Sequence, residues 1–157
     1  MKSVVSIPNF HSFIVHQIGD PRHLPRFCWN WFAKPLSAES FAGFWRMWNP
    51  VYGYVLLFFV YRPIRPYLPR FAATFLTFCV SGFVLHEIPF GVGIELLRGH
   101  RVIPEATILL GVFGVLMVLT EAVGMDFSAY PIWVRVAANI GLLALGFLLR
   151  RVIISLL

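Results

Sequence analysis

Three long apolar segments constrain the fold of this chain more than any other feature. They run from Phe71 to about Phe90, from about Val102 to Gly124 and from about Ile132 to Leu157. Each is long enough to cross a bilayer as a helix, which needs about 20 predominantly apolar residues. The hydrophobic share of the chain is 59%, whereas soluble domains average about 45–50%. We therefore predict an all-α membrane protein, a small bundle of three or four transmembrane helices.

A fourth apolar segment is shorter and ends in a proline-rich stretch. Val51–Tyr61 has about 11 residues, too few to cross a bilayer, so we expect a short interfacial, tilted or re-entrant helix. Pro63, Pro66 and Pro69 then recur at every third residue. This spacing predicts an extended, polyproline-like turn.

Two arginines accompany this turn. Arg62 and Arg65 are expected on one of its edges, where they would meet phosphate groups. Two interpretations remain open, namely anchoring to anionic lipid headgroups and recognition of a substrate phosphate. Lipid anchoring is the simpler of the two.

The N-terminal region differs from the rest of the chain. Residues 1–40 contain four prolines among aromatic side chains, and this broken pattern predicts a membrane-surface arm with one short helix. Residues 41–157 form the predicted transmembrane helical domain. Three histidines of the arm, His11, His16 and His23, are spaced by five and seven residues. This spacing matches no zinc-ligand pattern, so no metal site is predicted.

The charge distribution indicates membrane topology. Thirteen Lys and Arg against seven Asp and Glu give a formal net charge of +6. The basic residues lie before and between the apolar segments and form no nucleic-acid-binding stripe, so we predict no nucleic acid partner. Whether or not Val51–Tyr61 crosses, nine Lys and Arg fall on the side of the N-terminus and four on the other. We therefore expect a multi-pass protein with a cytoplasmic N-terminus.

Asn49 and His86 are the residues at which we expect chemistry. Asn49 closes the aromatic and basic run FWRMWN, and His86 ends the uncharged stretch FAATFLTFCVSGFVLH. Water is scarce at the end of such a stretch, so the polar partners of the imidazole must come from the protein. Packing roles remain open for both residues. His86 can hold a neighbouring helix, and Asn49 can cap a helix or form a turn before Pro50.

Three sequence motifs, SAESFAGFWRMWN, VYRPIRP and ATFLTFCVSGFVLHE, follow one another between about Phe32 and Pro89. In this order they resemble the membrane-bound O-acyltransferase (MBOAT) family, most closely its wax-synthase-like branch. The chain resembles only the C-terminal portion of such enzymes. The resemblance implies transfer of an acyl group from acyl-CoA to a hydroxyl group, with acyl-CoA as co-substrate and no resident cofactor.

The resemblance also implies roles for individual residues. His86 corresponds to the histidine of the family and would act as general base on the acceptor hydroxyl. Asn49 corresponds to the asparagine of the aromatic box and would donate its amide hydrogens to the acyl oxygen or hold the acceptor. Glu87 would orient the ring or the neighbouring backbone. Trp48 would form a substrate wall or an interfacial belt, and Arg46 would meet lipid headgroups or a CoA phosphate.

One spacing differs from the resembled family, in which the serine of the Ser-Gly pair commonly precedes the histidine by four residues. Here Ser81 and His86 are five residues apart. On an α-helix this shift amounts to about 100° of rotation. We therefore expect Ser81 and His86 on different faces and assign Ser81 no role.

The short chain also predicts partners. A chain that resembles only part of the family is expected to need additional membrane subunits or a homo-oligomer, besides membrane lipids and acyl-CoA. Ala137 and Gly141 form a small-xxx-small step that favours close helix packing, within the chain or with another subunit. The alternative function is therefore a non-catalytic integral membrane subunit that packs with other membrane proteins and lipids in a larger complex.

Overall fold

The computed structural model describes residues 7–92 and 103–157. Its helices, in chain order, are α1 (Phe10–Ile18), α2 (Leu24–Leu36), α3 (Phe41–Met47), α4 (Pro50–Ile64), α5 (α-helical over Arg70–Val80, π-helical over Ser81–Val92), α6 (Glu105–Ala122) and α7 (Ile132–Ser155). Two arginines that the charge count includes, Arg98 and Arg101, lie outside the described residues, as do the first six residues of the predicted arm.

Three of these helices are long and apolar enough to cross a membrane. They are α5 over Arg70–Pro89, α6 and α7, while α4 is apolar but shorter. The prediction of an all-α membrane protein with a short additional helix is confirmed. The apolar length of each segment was a sufficient signal because a bilayer offers backbone groups no water, so each crossing segment must satisfy its own hydrogen bonds as a helix.

Polar pairs join the ends of the three long helices. Arg70, at the start of α5, donates to Glu121 near the end of α6, with 2.7 Å between Nη2 and Oε1. Glu105, at the start of α6, forms an ion pair with Arg150 near the end of α7. The three helices therefore run antiparallel, with α6 packed against both α5 and α7.

The core lies between α3 and α6. Phe41 and Phe44 of α3 are each 1% exposed and form one buried cluster with Phe113 of α6, which is 3% exposed. Trp45 bridges to α5 through Phe78, with ring centroids 5.0 Å apart. Between lipid-embedded helices the hydrophobic effect contributes little, so the close van der Waals contact of these rings stabilises the packing.

A buried amide fastens the N-terminal part of the chain to α7. Asn139 is 0% exposed, and its Nδ2 donates to the carbonyl oxygens of Leu36 and Ala38, each at 3.0 Å. These carbonyls lie at the end of α2 and in the turn before α3. The side chain thus satisfies backbone groups that an apolar neighbour would leave unpaired.

The prediction of one short helix in the arm is wrong, because α1 and α2 both form. The prolines do not interrupt these helices. Pro25 lies in the first turn of α2, where its missing N–H has no helical partner, and Pro35 lies in the last turn. The side chain of Asn9 caps α1 by accepting the His11 N–H at 2.9 Å. Whether the arm lies on a membrane surface stays a prediction.

The predicted polyproline-like turn is also wrong over most of its length. Arg62–Ile64 is helical and continues α4, and the backbone of Arg65 keeps right-handed helical angles, with φ −57° and ψ −33°. Pro69 has extended angles, with φ −60° and ψ 156°, next to the start of α5, whereas Pro63 lies within the helical residues. Proline fixes φ near a value that suits both helix types, so its spacing alone could not distinguish them.

The small-residue contact on α7 differs from the predicted one. Ala137 is exposed, and a Cβ at Gly141 would meet nothing within 4 Å, so this step makes no close contact among the described residues. Gly146 does, since a Cβ there would overlap the ring of Phe113. At Gly146 the backbone of α7 therefore lies against the Phe113 ring of α6 and leaves no room for a Cβ.

We predict that Gly146→Ala destabilises the protein while Gly141→Ala does not. The added methyl at position 146 must displace a ring enclosed by α3, which costs about 1–3 kcal/mol by overpacking. The same change at position 141 enters open space and gains about 0.5–1 kcal/mol of helix preference. Thermal unfolding in one detergent compares both variants with the parent chain. Equal melting temperatures for the two variants would contradict this packing.

Candidate functional site

The backbone of α5 changes its winding at the residues that precede His86. From Ser81 the helix is π-helical, so its backbone hydrogen bonds join residues five positions apart instead of four. His86 Nδ1 lies 2.9 Å from the carbonyl oxygen of Ser81, five residues earlier. The expectation that Ser81 and His86 lie on different faces is therefore wrong, because it assumed α-helical winding.

This contact determines the tautomer of a neutral His86. A carbonyl oxygen only accepts hydrogen bonds, so Nδ1 must carry the ring hydrogen. In the neutral imidazole the lone pair that can accept a proton is then on Nε2. The backbone of α5 thus fixes both the orientation of the ring and the nitrogen that can act as a base.

A tyrosine that the sequence analysis did not single out contacts the ring of His86. The ring centroids of Tyr52 and His86 are 5.5 Å apart, with an interplanar angle of 86°. This edge-on arrangement suits two aromatic systems with opposite charge at edge and face. Tyr52 therefore forms one wall beside the imidazole and holds it from the α4 side.

Among the described residues, Tyr52 links Asn49 to His86. It caps α4, and its Oδ1 accepts the Tyr52 N–H at 3.3 Å. Its backbone is left-handed, with φ 43°, a conformation that asparagine tolerates better than most residues. The helix-cap interpretation of Asn49 is confirmed. Since the cap uses Oδ1, the amide nitrogen is the part of the side chain that remains to meet a substrate.

The capping pattern contains a signal that could have identified Tyr52. In an N-capped helix the cap oxygen accepts the N–H of the second or third residue that follows. With Asn49 as the cap and Pro50 as the first helical residue, Tyr52 is that third residue. Its contact with His86, however, depends on how α4 packs against α5, which no local pattern encodes.

Glu87 binds the start of α6 and is 7% exposed. Its Oε1 accepts the N–H groups of Ala106 at 2.9 Å and of Thr107 at 3.1 Å, and its Oε2 accepts the Thr107 hydroxyl at 2.6 Å. A carboxylate at a helix N-terminus satisfies unpaired N–H groups and interacts favourably with the helix dipole. Glu87 therefore orients neighbouring backbone, and with it the turn that carries His86.

A close approach of α5 and α6 accompanies this capping. A Cβ at Gly82 would lie 2.5 Å from the Cα of Thr107 and 2.7 Å from the carbonyl oxygen of Ala106. Only glycine leaves room for the backbone of α6 at this distance. Gly82 and Glu87 thus fix the π-helical part of α5 against the first turn of α6.

Trp48 and Arg46 make their contacts elsewhere. Trp48 stacks on Phe44, with ring centroids 5.4 Å apart, and Phe32 meets it edge-on at 6.2 Å. Arg46 points its guanidinium towards Glu121, with 3.9 Å between Nη2 and Oε1, and its side chain is 68% exposed. Neither contact joins these residues to the ring of His86, and the substrate-wall role of Trp48 stays a prediction.

Arg62 and Arg65 are exposed, on the helical continuation of α4. The guanidinium carbon of Arg62 lies 4.3 Å from the centroid of the Phe58 ring, a cation–π contact. Arg65 Nη1 donates to the carbonyl oxygen of Leu68 at 3.1 Å. Both side chains keep donors for phosphate groups, so their contact with lipid or substrate phosphates stays a prediction.

The fold and these contacts define an all-α membrane protein with a histidine of fixed tautomer near one end of a crossing helix. Comparison with known proteins adds a distant relative. The chain is 35% identical over 80 residues, 51% of its length, to the probable sterol O-acyltransferase 2 of Schizosaccharomyces pombe (strain 972 / ATCC 24843). No protein-family model and no solved structure matches the chain.

The matched relative is much longer. The aligned part covers 15% of the length of the relative. The match therefore does not assign the activity of the whole relative to this chain. What the match establishes is a distant relationship to an O-acyltransferase. The membrane-spanning helices and this relationship together describe an acyltransferase-like membrane protein.

We predict that His86 is the Nδ1–H tautomer whenever it is neutral. Nitrogen-15 NMR of the protein in lipid nanodiscs, with labelled histidine, separates a protonated Nδ1 from a protonated Nε2 by chemical shift. The signal of His86 is the one that His86→Ala removes from the spectrum. A protonated Nε2 at high pH would contradict the hydrogen bond to Ser81.

Proposed function

We propose that this chain is a unit of an MBOAT-like membrane acyltransferase and that His86 is its general base. The observation that carries the proposal is the hydrogen bond between His86 Nδ1 and the Ser81 carbonyl oxygen. It supports the role because it leaves the basic lone pair on Nε2 and holds the ring in one orientation. The distant relationship to a sterol O-acyltransferase supports the reaction class.

The reaction needs one proton acceptor and one oxyanion stabiliser. Nε2 of His86 takes the proton of the acceptor hydroxyl while its oxygen attacks the thioester carbonyl of acyl-CoA. The amide N–H groups of Asn49 donate to the oxyanion that forms. When the carbon–sulfur bond breaks, the imidazolium returns the proton to the CoA thiolate, and the products are an ester and free CoA. We propose two candidate acceptors, namely a sterol, because the matched relative is a sterol O-acyltransferase, and a long-chain alcohol, because the sequence motifs resemble the wax-synthase-like branch.

The proposal includes a membrane setting. The crossing helices are α5, α6 and α7, and the excess of basic residues on the side of the N-terminus supports a cytoplasmic N-terminus. Membrane lipids surround the bundle and supply or receive the acceptor. Further membrane subunits or a second copy of the chain are also part of this proposal, and they would complete the substrate chamber.

A non-catalytic membrane subunit is the second candidate function, and the exposure of α7 favours it. Only 11% of the most apolar window of α7 is buried, and Ala137 and Gly141 face outward on the same helix. An uncovered helix with a small-residue step suits packing against another membrane protein. In this alternative the His86 hydrogen bond only stabilises the π-helical part of α5.

We predict that His86→Ala lowers acyl transfer by a factor of about 10²–10⁴, the usual contribution of a general base. The assay follows CoA release from oleoyl-CoA with cholesterol or hexadecanol, using protein purified in mild detergent with any membrane partners that remain bound. His16→Ala, a change on an exposed face of α1, is the matched control. If the parent chain releases no more CoA than His86→Ala does, the acyltransferase proposal is refuted and the non-catalytic membrane subunit remains.

We also predict that Asn49→Asp separates capping from catalysis. Aspartate keeps an oxygen that can accept the Tyr52 N–H, so α4 stays capped and the melting temperature changes little. It lacks the amide hydrogens, and its negative charge opposes the oxyanion, so turnover should fall by a factor of about 10²–10³. If Asn49→Asp turned over as fast as the parent chain, Asn49 would have only its structural role.

A further inference from the structure

A second polar site lies away from His86, between α2, α3 and α7. It is an open cavity of about 360 Å³, a volume within the usual range of ligand sites, about 300–1,000 Å³. Three basic side chains line it, from Lys34 on α2, Arg46 on α3 and Arg135 on α7, against the one carboxylate of Glu39. We call this cavity the basic pocket.

Arg135 builds the wall of the pocket. Its Nε donates to the carbonyl oxygen of Tyr130 at 3.0 Å, and its Nη2 donates to the carbonyl oxygen of Ser128 at 2.6 Å. Its Nη1 donates to the carboxylate of Glu39 at 3.2 Å. Asp126 is a second carboxylate near Arg135, and the Ser128 N–H, which it accepts at 2.8 Å, lowers the pKa of Asp126. The charge of Arg135 is therefore largely matched, and its fixed guanidinium shapes the pocket.

Lys34 and Arg46 provide the excess positive charge. Lys34 Nζ donates one hydrogen to the neutral carbonyl oxygen of Gln17 at 2.9 Å, and its ammonium has two more hydrogens. Arg46 is 3.9 Å from Glu121, but that carboxylate is bound at 2.7 Å by Arg70. Arg46 therefore shares the carboxylate of Glu121 with Arg70, and no carboxylate of the described residues forms an ion pair with Lys34, so the lining of the pocket keeps an excess of positive charge.

A hydroxyl group adds a neutral donor. Ser40 lines the pocket, and its Oγ accepts the Gly43 N–H at 3.0 Å as the cap of α3. A hydroxyl that accepts a hydrogen bond still has its own hydrogen to donate. Two cations and a hydroxyl converge here, which is the donor set that binds the oxygens of a phosphate group.

The pocket lies at one end of the bundle of crossing helices, the level at which lipid headgroups are expected. Arg135 is in the first turn of α7, at the same end of the bundle as the start of α5 and the end of α6. On α2, which carries Lys34, the side chains of Trp29 and Phe32 are 73% and 57% exposed. Exposed aromatic residues of this kind mark the membrane interface, where lipid phosphates lie.

We propose that the basic pocket binds a phosphate group at the level of the lipid headgroups. The phosphate oxygens accept hydrogen bonds from Lys34, Arg46 and Ser40, and Arg135 closes the far wall. A phosphate of this kind comes either from an anionic phospholipid or from a soluble ligand. The proposal does not depend on acyl transfer, since none of these side chains contacts His86 in the structure.

The test uses the full chain in nanodiscs and has two arms. In the first, nanodiscs contain phosphatidylcholine with a minority of phosphatidic acid, and native mass spectrometry counts the lipids retained by the released protein. In the second, nanodiscs contain phosphatidylcholine alone, and calorimetry measures the binding of soluble CoA. The variant is Lys34→Gln with Arg46→Gln, and the charge-matched control is Arg26→Gln with Arg151→Gln, two exposed arginines that do not line the pocket.

In one of the two arms, we expect the variant to bind its phosphate ligand about tenfold more weakly than the parent chain and the control do. Loss of phosphatidic acid identifies a lipid headgroup, and loss of CoA binding identifies a soluble phosphate; either supports the pocket. Lys34→Arg with Arg46→Lys should retain binding and so exclude a folding defect. Equal binding by variant and control in both arms, or no binding by the parent, would overturn the proposal.

Discussion

The buried carboxylate of Glu87 is the interaction on which the candidate site depends. The first turn of α6 begins near the membrane interface with N–H groups that have no helical partners, and leaving them unpaired in an apolar setting is costly. Glu87 accepts two of these N–H groups and the Thr107 hydroxyl. Because Glu87 belongs to α5, satisfying α6 also fixes the π-helical turn that carries His86.

The π-helical winding accounts for the contact between Ser81 and His86, which are five positions apart. In the family that the chain resembles, the serine commonly lies four positions before the histidine, which places both on one face of an α-helix. This chain has five, and the π-helix, with its hydrogen bonds between residues five apart, brings Ser81 and His86 together again. The additional residue is absorbed by the winding, while the imidazole keeps a backbone neighbour.

The sequence was sufficient to predict the crossing helices but not the contacts between them. Apolar length predicts α5, α6 and α7 because the bilayer leaves no other backbone structure. The winding at Ser81 was not predictable, since a one-residue change in hydrogen-bond register leaves no mark in composition. The contacts of Glu87 with α6 and of Asn139 with Leu36 join residues 19 or more positions apart. Such pairs depend on how the helices pack. The capping role of Asn49, by contrast, was predictable because a helix cap involves only neighbouring residues.

One short segment connects the two polar sites. Arg46 lines the basic pocket, Asn49 caps α4, and Tyr52 meets the ring of His86, so seven consecutive residues run from one site to the other. Arg46 nevertheless approaches Glu121 near the end of α6, whereas Glu87, the neighbour of His86, binds the start of α6. The segment therefore connects opposite ends of α6, and a phosphate in the basic pocket is held at the end of that helix away from His86.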